Sequence, residues 1–196
     1  MCHQKIPVTT AAMPCLSDTL ELLRAYPNDE SRNRLISFVE SHPDSFVDRY
    51  NPVGHITASA WIVNPERTHA LLIHHVKLGM LIQPGGHVDP EDTTLLAAAL
   101  REAQEETGII GLSVPDPAIF DLDIHPVPAR GDMPAHTHYD IRFLIVAEMG
   151  SLDRVNMIET HGAEWVPLDR IHPGHPFGNS IIRMAKKTLE QNKQEQ

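Results

Sequence analysis

Residues 85–109 read GGHVDPEDTTLLAAALREAQEETGI, and the fold turns on this stretch. Two glycines at its head let the backbone approach a neighbour closely, because no Cβ intervenes. A short acidic loop follows, and then a helix that Asp92 or Thr93 can cap and that Gly108 ends in a left-handed conformation. At 3.6 residues per turn, Leu96, Ala99, Leu100, Ala103 and Thr107 form a stripe fit to pack on a core. Glu102, Glu105 and Glu106, at i, i+3 and i+4, occupy roughly a 100° sector beside it. Three like charges so close repel one another unless a cation sits among them. Hard oxygen donors of this kind suit Mg²⁺ or Mn²⁺ and leave positions for water and phosphate. Taken alone, glutamates at this spacing more often make a solvated helix face, so the cation reading needs the rest of the string.

That string, Arg101-Glu102-Ala103-Gln104-Glu105-Glu106-Thr107-Gly108-Ile109, resembles the second half of the box that marks the Nudix hydrolase superfamily. The family pattern is G-x5-E-x7-R-E-U-x-E-E-x-G-U, with U aliphatic. From Gly86 a five-residue spacer leads to Asp92, where the family has Glu. Eight residues rather than seven then separate Asp92 from Arg101. Both departures fall in the loop or the first helical turn, and the metal-binding half keeps its spacing. The resemblance is specific over about 25 residues and looser over residues 53–168.

The resemblance implies an α/β fold, a Nudix-type α/β/α sandwich with a mixed sheet, over residues 51–196. It implies a metal-dependent pyrophosphohydrolase in which water attacks a diphosphate bond of a nucleoside-diphosphate-linked or nucleoside-triphosphate small molecule. Glu102, Glu105, Glu106 and the Gly86 carbonyl would hold Mg²⁺ or Mn²⁺, with Glu164 at the head of a late strand as a further ligand. Glu105 or Glu102 ranks first as the base that takes the proton of water, followed by Glu164 and then Asp132 or Glu159. Arg101 cannot be a base, and its planar fork instead orients Glu105 one turn on. Two alternatives keep the fold. An enzyme like isopentenyl-diphosphate isomerase needs a cysteine in the sheet, and neither Cys2 nor Cys15 falls in an expected strand. A non-catalytic nucleotide-binding regulator should show damaged box carboxylates or an appended DNA-binding domain. The carboxylates are intact, and the stretch after Leu168 is too short for a winged helix.

Composition agrees with a globular domain. A chain of 196 residues with 41% hydrophobic content is long enough to bury a core. The formal net charge of −10 argues against nucleic acid or an anionic membrane as partner. An acidic protein binds polyphosphate only where metal reverses the local field. The two cysteines form no disulfide framework, and no apolar run suits a membrane span or a signal peptide, so a cytoplasmic location is expected.

Along the chain, residues 1–50 read as an N-terminal helical extension, with helices at 16–26 and from Asn28-Asp29 to His42-Pro43 and another turn at 45–50. It can pad the sheet, cover the site or make a homodimer contact, and the sequence does not choose. HITASAWIV and HALLIHHV form a hairpin across Asn64-Pro65-Glu66. A turn at 77–79 leads to Leu81-Ile82-Gln83 and the glycines. Strands follow at 118–125, 136–148 and 164–168, with a proline-punctuated loop at 126–134 and a closing helix at 180–191. Thirteen histidines are unusual. His136 and His138, two apart on a strand, share one side, and His55, His75, His87 and His125 could come near them. His136, His138 and His87 are read as substrate contacts. Protonated imidazole would attract phosphate, while neutral imidazole suits a softer metal such as Mn²⁺ or Zn²⁺.

Overall fold

The computed structural model describes residues 14, 16–46, 48–75, 79–131, 133–150, 160–173 and 177–194. Cys2, Cys15, Lys77, Leu78, Asp132 and Glu159 lie outside them, which takes in both cysteines, two residues of the 77–79 turn and two candidate bases.

Two helices open the chain, α1 (Leu16–Ala25) and α2 (Glu30–Ser41). Asp29 caps α2 by accepting from the Arg32 N–H at 2.8 Å, and His42 ends it. The turn expected at 45–50 is present as hydrogen-bonded turns, and among the described residues it does not continue as a helix. Its backbone makes isolated bonds such as Asp48 N–H to Asp44 C=O. Strands β1 (Gly54–Val63) and β2 (His69–His75) make the hairpin. Asn64 closes it, its Oδ1 accepting from the N–H groups of Thr68 and His69 at 2.8 Å each. Short strands β3 (Met80–Ile82) and β4 (Gly85–His87) lead to helix α3 (Leu95–Thr107). Then come β5 (Ile119–Val127), β6 (His136–Val146), β7 (Thr160–Pro167) and α4 (Asn179–Gln194). Strand β5 runs through Pro126, where a loop was expected. That residue pairs with Thr137 at the end of an edge strand, a place proline tolerates.

The sheet runs β3-β2-β1-β6-β5, with β7 on β2 and β4 on β1. Strands β1 and β6 are parallel along their length and the other pairs antiparallel, so the sheet is mixed. One face carries the first three helices. Leu23, Leu35, Phe38 and Val39 of α1 and α2 join Ile56, Ala58, Ile141 and Phe143, with Leu95, Ala98 and Ala99 of α3 in the same cluster. Phe38 stacks on Tyr139 at 3.7 Å between centroids. The other face carries α4, whose Ile181, Met184 and Ala185 meet Trp61, Leu72 and Leu144. Helices on both sides of a mixed sheet give the expected α/β/α layering, with the N-terminal helices in it. Among the described residues no helix is long and apolar enough to cross a membrane.

Candidate active site

Helix α3 begins later than the sequence suggested. Thr94, not Asp92 or Thr93, is the N-cap, its Oγ1 accepting from the Ala97 N–H at 3.0 Å. Gly108 ends the helix with φ 65°, as its position predicted. The inward stripe is Leu95, Ala98, Ala99, Ala103 and Thr107, while Leu96 and Leu100 stay partly exposed. Starting the helix at Leu95 frees Asp92, which is only 6% exposed, to turn back onto Arg101. Its two oxygens accept from Arg101 Nε at 3.1 Å and Nη2 at 2.9 Å, a bidentate pair. Asp92 Oδ2 also accepts from the Asp89 N–H at 2.8 Å. The extra residue before Arg101 is thus taken up ahead of the cap, and the shorter aspartate still reaches the guanidinium.

Arg101 is the hub. Its Nη2 also donates to the His87 carbonyl at 2.9 Å, and Nη1 donates to Glu102 at 3.0 Å and Glu105 at 3.2 Å. Asp92 above all holds the guanidinium protonated, with Glu102 adding to it against the cost of burial. The three box glutamates, equivalent by helical position, sit in different surroundings. Glu106 is buried and accepts from the Gly85 N–H at 2.9 Å. Glu102 lies against Gly86, where a Cβ would meet its Cδ at 2.6 Å. Glu105 is 55% exposed and faces out. Gly85 likewise has no room for a side chain, since a Cβ would strike Ser59 Oγ at 2.2 Å. Carboxylates of Asp89, Asp92, Glu102 and Glu105 therefore surround one arginine, with Glu106 on the bare glycine backbone beside it. This excess of negative oxygen fits a divalent cation of the Mg²⁺ or Mn²⁺ kind.

Glu164 is turned elsewhere. It pairs with Leu72 in the sheet, and its Oε1 lies 2.8 Å from His74 Nε2. Its neighbour Trp165 packs with Leu100 and Ala103 of α3, so Glu164 points to the opposite face.

The α4 face changes character along its strands. On β1 it reads Val63, Trp61, Ser59, Thr57, His55, and on β6 Val146, Leu144, Arg142, Asp140, His138, His136. Apolar residues lie under α4, a buried polar floor follows, and histidines end the row. In the floor Asp140, 2% exposed, accepts from Thr57 at 3.0 Å, Ser59 at 2.8 Å, Gln83 at 3.3 Å and Arg142 Nε at 2.7 Å. Arg142, also 2% exposed, reaches Asp121 and Asp123, which Arg183 of α4 pairs from above. Because the sheet order is β4-β1-β6-β5 here, His55, His138 and His125 pair across it in one row, and His87, opposite Thr57 on β1, lies diagonally beside His55, with His136 next to His138. Ring centroids of His55 lie 4.8 Å from His87, 4.9 Å from His136 and 4.7 Å from His138. His75, in the β2–β3 pairing, belongs to another part of the sheet. Burial first, then the neighbouring histidines, lowers His55 to about 3 and His138 to about 2, so both are neutral at pH 7. A charged His138 attracting phosphate is therefore not what this geometry favours. Past the histidines, a cleft of about 420 Å³ is lined by Pro52, Val53, Pro126, Val127 and His136. The sequence reading missed the floor of Thr57, Ser59, Gln83 and Asp140. Its signal was the alternation of polar residues with apolar ones along β1 and β6.

Comparison with known proteins follows the same lines. The family model described as the NUDIX domain matches residues 54–185. A Klebsiella pneumoniae protein named "Uncharacterized Nudix hydrolase NudL" is 38% identical over 103 residues, 48% of each chain. The chain spans about half the length of such curated relatives. A Lactococcus lactis protein named "Probable DHNTP pyrophosphohydrolase" is 27% identical over 121 residues, 62% of this chain and 71% of that one. The crystal structure of a MutT protein from Methanosarcina mazei superposes with a TM-score of 0.50 and 21% identity, covering 73% of this chain and 98% of that one.

Proposed function

Because the chain belongs to the NUDIX domain family, we propose that it is a metal-dependent pyrophosphohydrolase acting on a nucleotide-linked diphosphate or a nucleoside triphosphate. The observation that carries this reading is the ring of box carboxylates around Arg101 and the Gly85-Gly86 backbone. Glu102, Glu105 and Glu106, with the Gly86 carbonyl, would hold Mg²⁺ or Mn²⁺. When bound, such an ion supplies an activated water and neutralises charge on the diphosphate. Glu105, the most exposed of the three, takes the proton of the attacking water as its oxygen bonds to phosphorus and the bridging P–O bond breaks. Arg101 positions Glu102 and Glu105 by holding both from one nitrogen. Glu164, turned to the other face, has no part in this arrangement. A small-molecule substrate in the cytoplasm, with no nucleic acid or membrane partner, fits the acidic charge.

The test is a panel of nucleotide sugars, dinucleoside polyphosphates and nucleoside triphosphates, assayed with Mg²⁺ and with Mn²⁺. On the best substrate, Glu105→Gln should lower kcat by about 10²-fold or more with an unchanged melting temperature. Full turnover in that variant would overturn the assignment.

A further inference from the structure

The histidine cluster is chemically unlike the box. His55 is 1% exposed, and neither its Nδ1 nor its Nε2 has a hydrogen-bond partner. Burying an imidazole with both nitrogens unsatisfied is costly, and a phenylalanine would fill the space without that penalty. What surrounds His55 is more imidazole. One ring nitrogen from each of His55, His87 and His138 lies within 4.8 Å of the others. Two further rings are oriented as ligand histidines usually are, with the second nitrogen tied to an oxygen acceptor. His136 Nδ1 lies 2.8 Å from the Pro134 carbonyl, which can only accept, so that nitrogen carries the proton. Its Nε2 lone pair then faces His138 Nε2 at 3.2 Å. That spacing is close to the edge of a tetrahedron of nitrogens about 2.0–2.1 Å from a central ion. His125 Nδ1 is similarly held by Asp123 Oδ2 at 3.0 Å.

We propose that His55, His87 and His138 form a binding site for a divalent transition-metal ion of the zinc type, with His136 or a water in the fourth position. Neutral imidazole suits Zn²⁺ and its neighbours and serves Mg²⁺ poorly, so the site and the box select different ions. The two sites lie on opposite sides of β4. Gly86 faces Glu102 on the α3 side, and the next side chain, His87, points the other way into the cluster. Since the His87 carbonyl is held by Arg101 and the Gly85 N–H by Glu106, an ion fixing His87 also stiffens the turn that carries the box backbone.

The test uses full-length protein without a histidine tag, stripped with chelator and titrated with Zn²⁺ and with Co²⁺. Wild type should take up one zinc per chain, keep it in millimolar Mg²⁺, and give intense visible bands of four-coordinate Co²⁺. Paired replacement His55→Phe with His138→Gln should weaken zinc binding by about 100-fold or more. Glu102→Gln with Glu105→Gln should leave it unchanged. Zinc uptake retained in the histidine variant, lost in the glutamate variant, or displaced by Mg²⁺ would overturn the proposal. If the histidine variant does not fold, the wild-type cobalt spectrum decides, since weak six-coordinate bands would overturn it too.

Discussion

Replacing Arg101 by methionine tests the hub of the box most directly. Methionine keeps the apolar stem of the side chain and removes the fork. The outermost interaction, with the half-exposed Glu105, is worth little, on the order of 0.5 kcal/mol. The main loss is at Asp92, 6% exposed, which keeps only the Asp89 N–H once its bidentate partner is gone. Stranding one member of a buried ion pair costs about 3–5 kcal/mol, and the lower end applies because Arg101 is itself 25% exposed. About 3 kcal/mol in a domain of this size lowers Tm by roughly 6–12 °C. The assay is thermal unfolding of Arg101→Met, Asp92→Asn and the double variant, with kcat measured on each. Asp92→Asn removes the stranded charge, so the double variant should regain about 1 kcal/mol or more over additivity. It should regain no turnover, because Glu102 and Glu105 still lack their shared donor. A Tm for Arg101→Met within about 2 °C of wild type, or strict additivity in the cycle, would refute the reasoning.

Three other outcomes are expected. Asp140→Ala strands buried Arg142 from its nearest partner, takes the acceptor from the Thr57 and Ser59 hydroxyls and leaves Gln83 Nε2 only Ser59 Oγ, so Tm should fall by about 10 °C, read by calorimetry. A chain starting at Asn51 lacks Leu23, Leu35, Phe38, Val39 and Phe46, which share one cluster with the sheet and α3. It should aggregate or change assembly, and a monodisperse, active truncation by light scattering would contradict this. Tyr26 is raised to about 12 by burial first, then by Asp121 and Asp29, against about 10 unfolded. Its folded phenol keeps a proton that the unfolded chain gives up, so its contribution is whole below pH 10 and is lost as pH rises towards 12. Tyr26→Phe should remove that share, on the order of 1 kcal/mol, from the alkaline decline of urea-unfolding stability.

Local sequence carried much of the fold. The αL glycine at 108, the aspartate cap at 29, the hairpin around Asn64 and the β-branched alternation of β1 depend on residues within a few positions of one another. For the same reason the box could be read and its helix assigned. Local pattern also put His136 and His138 on one side of a strand, because parity is a property of the strand alone. It could not say which strands lie side by side. Strand order and register join residues far apart in the chain, and they bring His55, His125 and His138 into one row with His87 diagonally beside it. They also turn Glu164 away from α3, since its pairing with Leu72 fixes its face. Within the box, the helix put Glu102, Glu105 and Glu106 in one sector, and only packing made them unequal. The backbone of β4 lies against one end of α3, so Glu106 is buried on an N–H, Glu102 is pressed against Gly86, and Glu105 is left in water. A sequence determines which side chains an element offers, whereas the neighbours that desolvate or pair them are chosen by the tertiary fold.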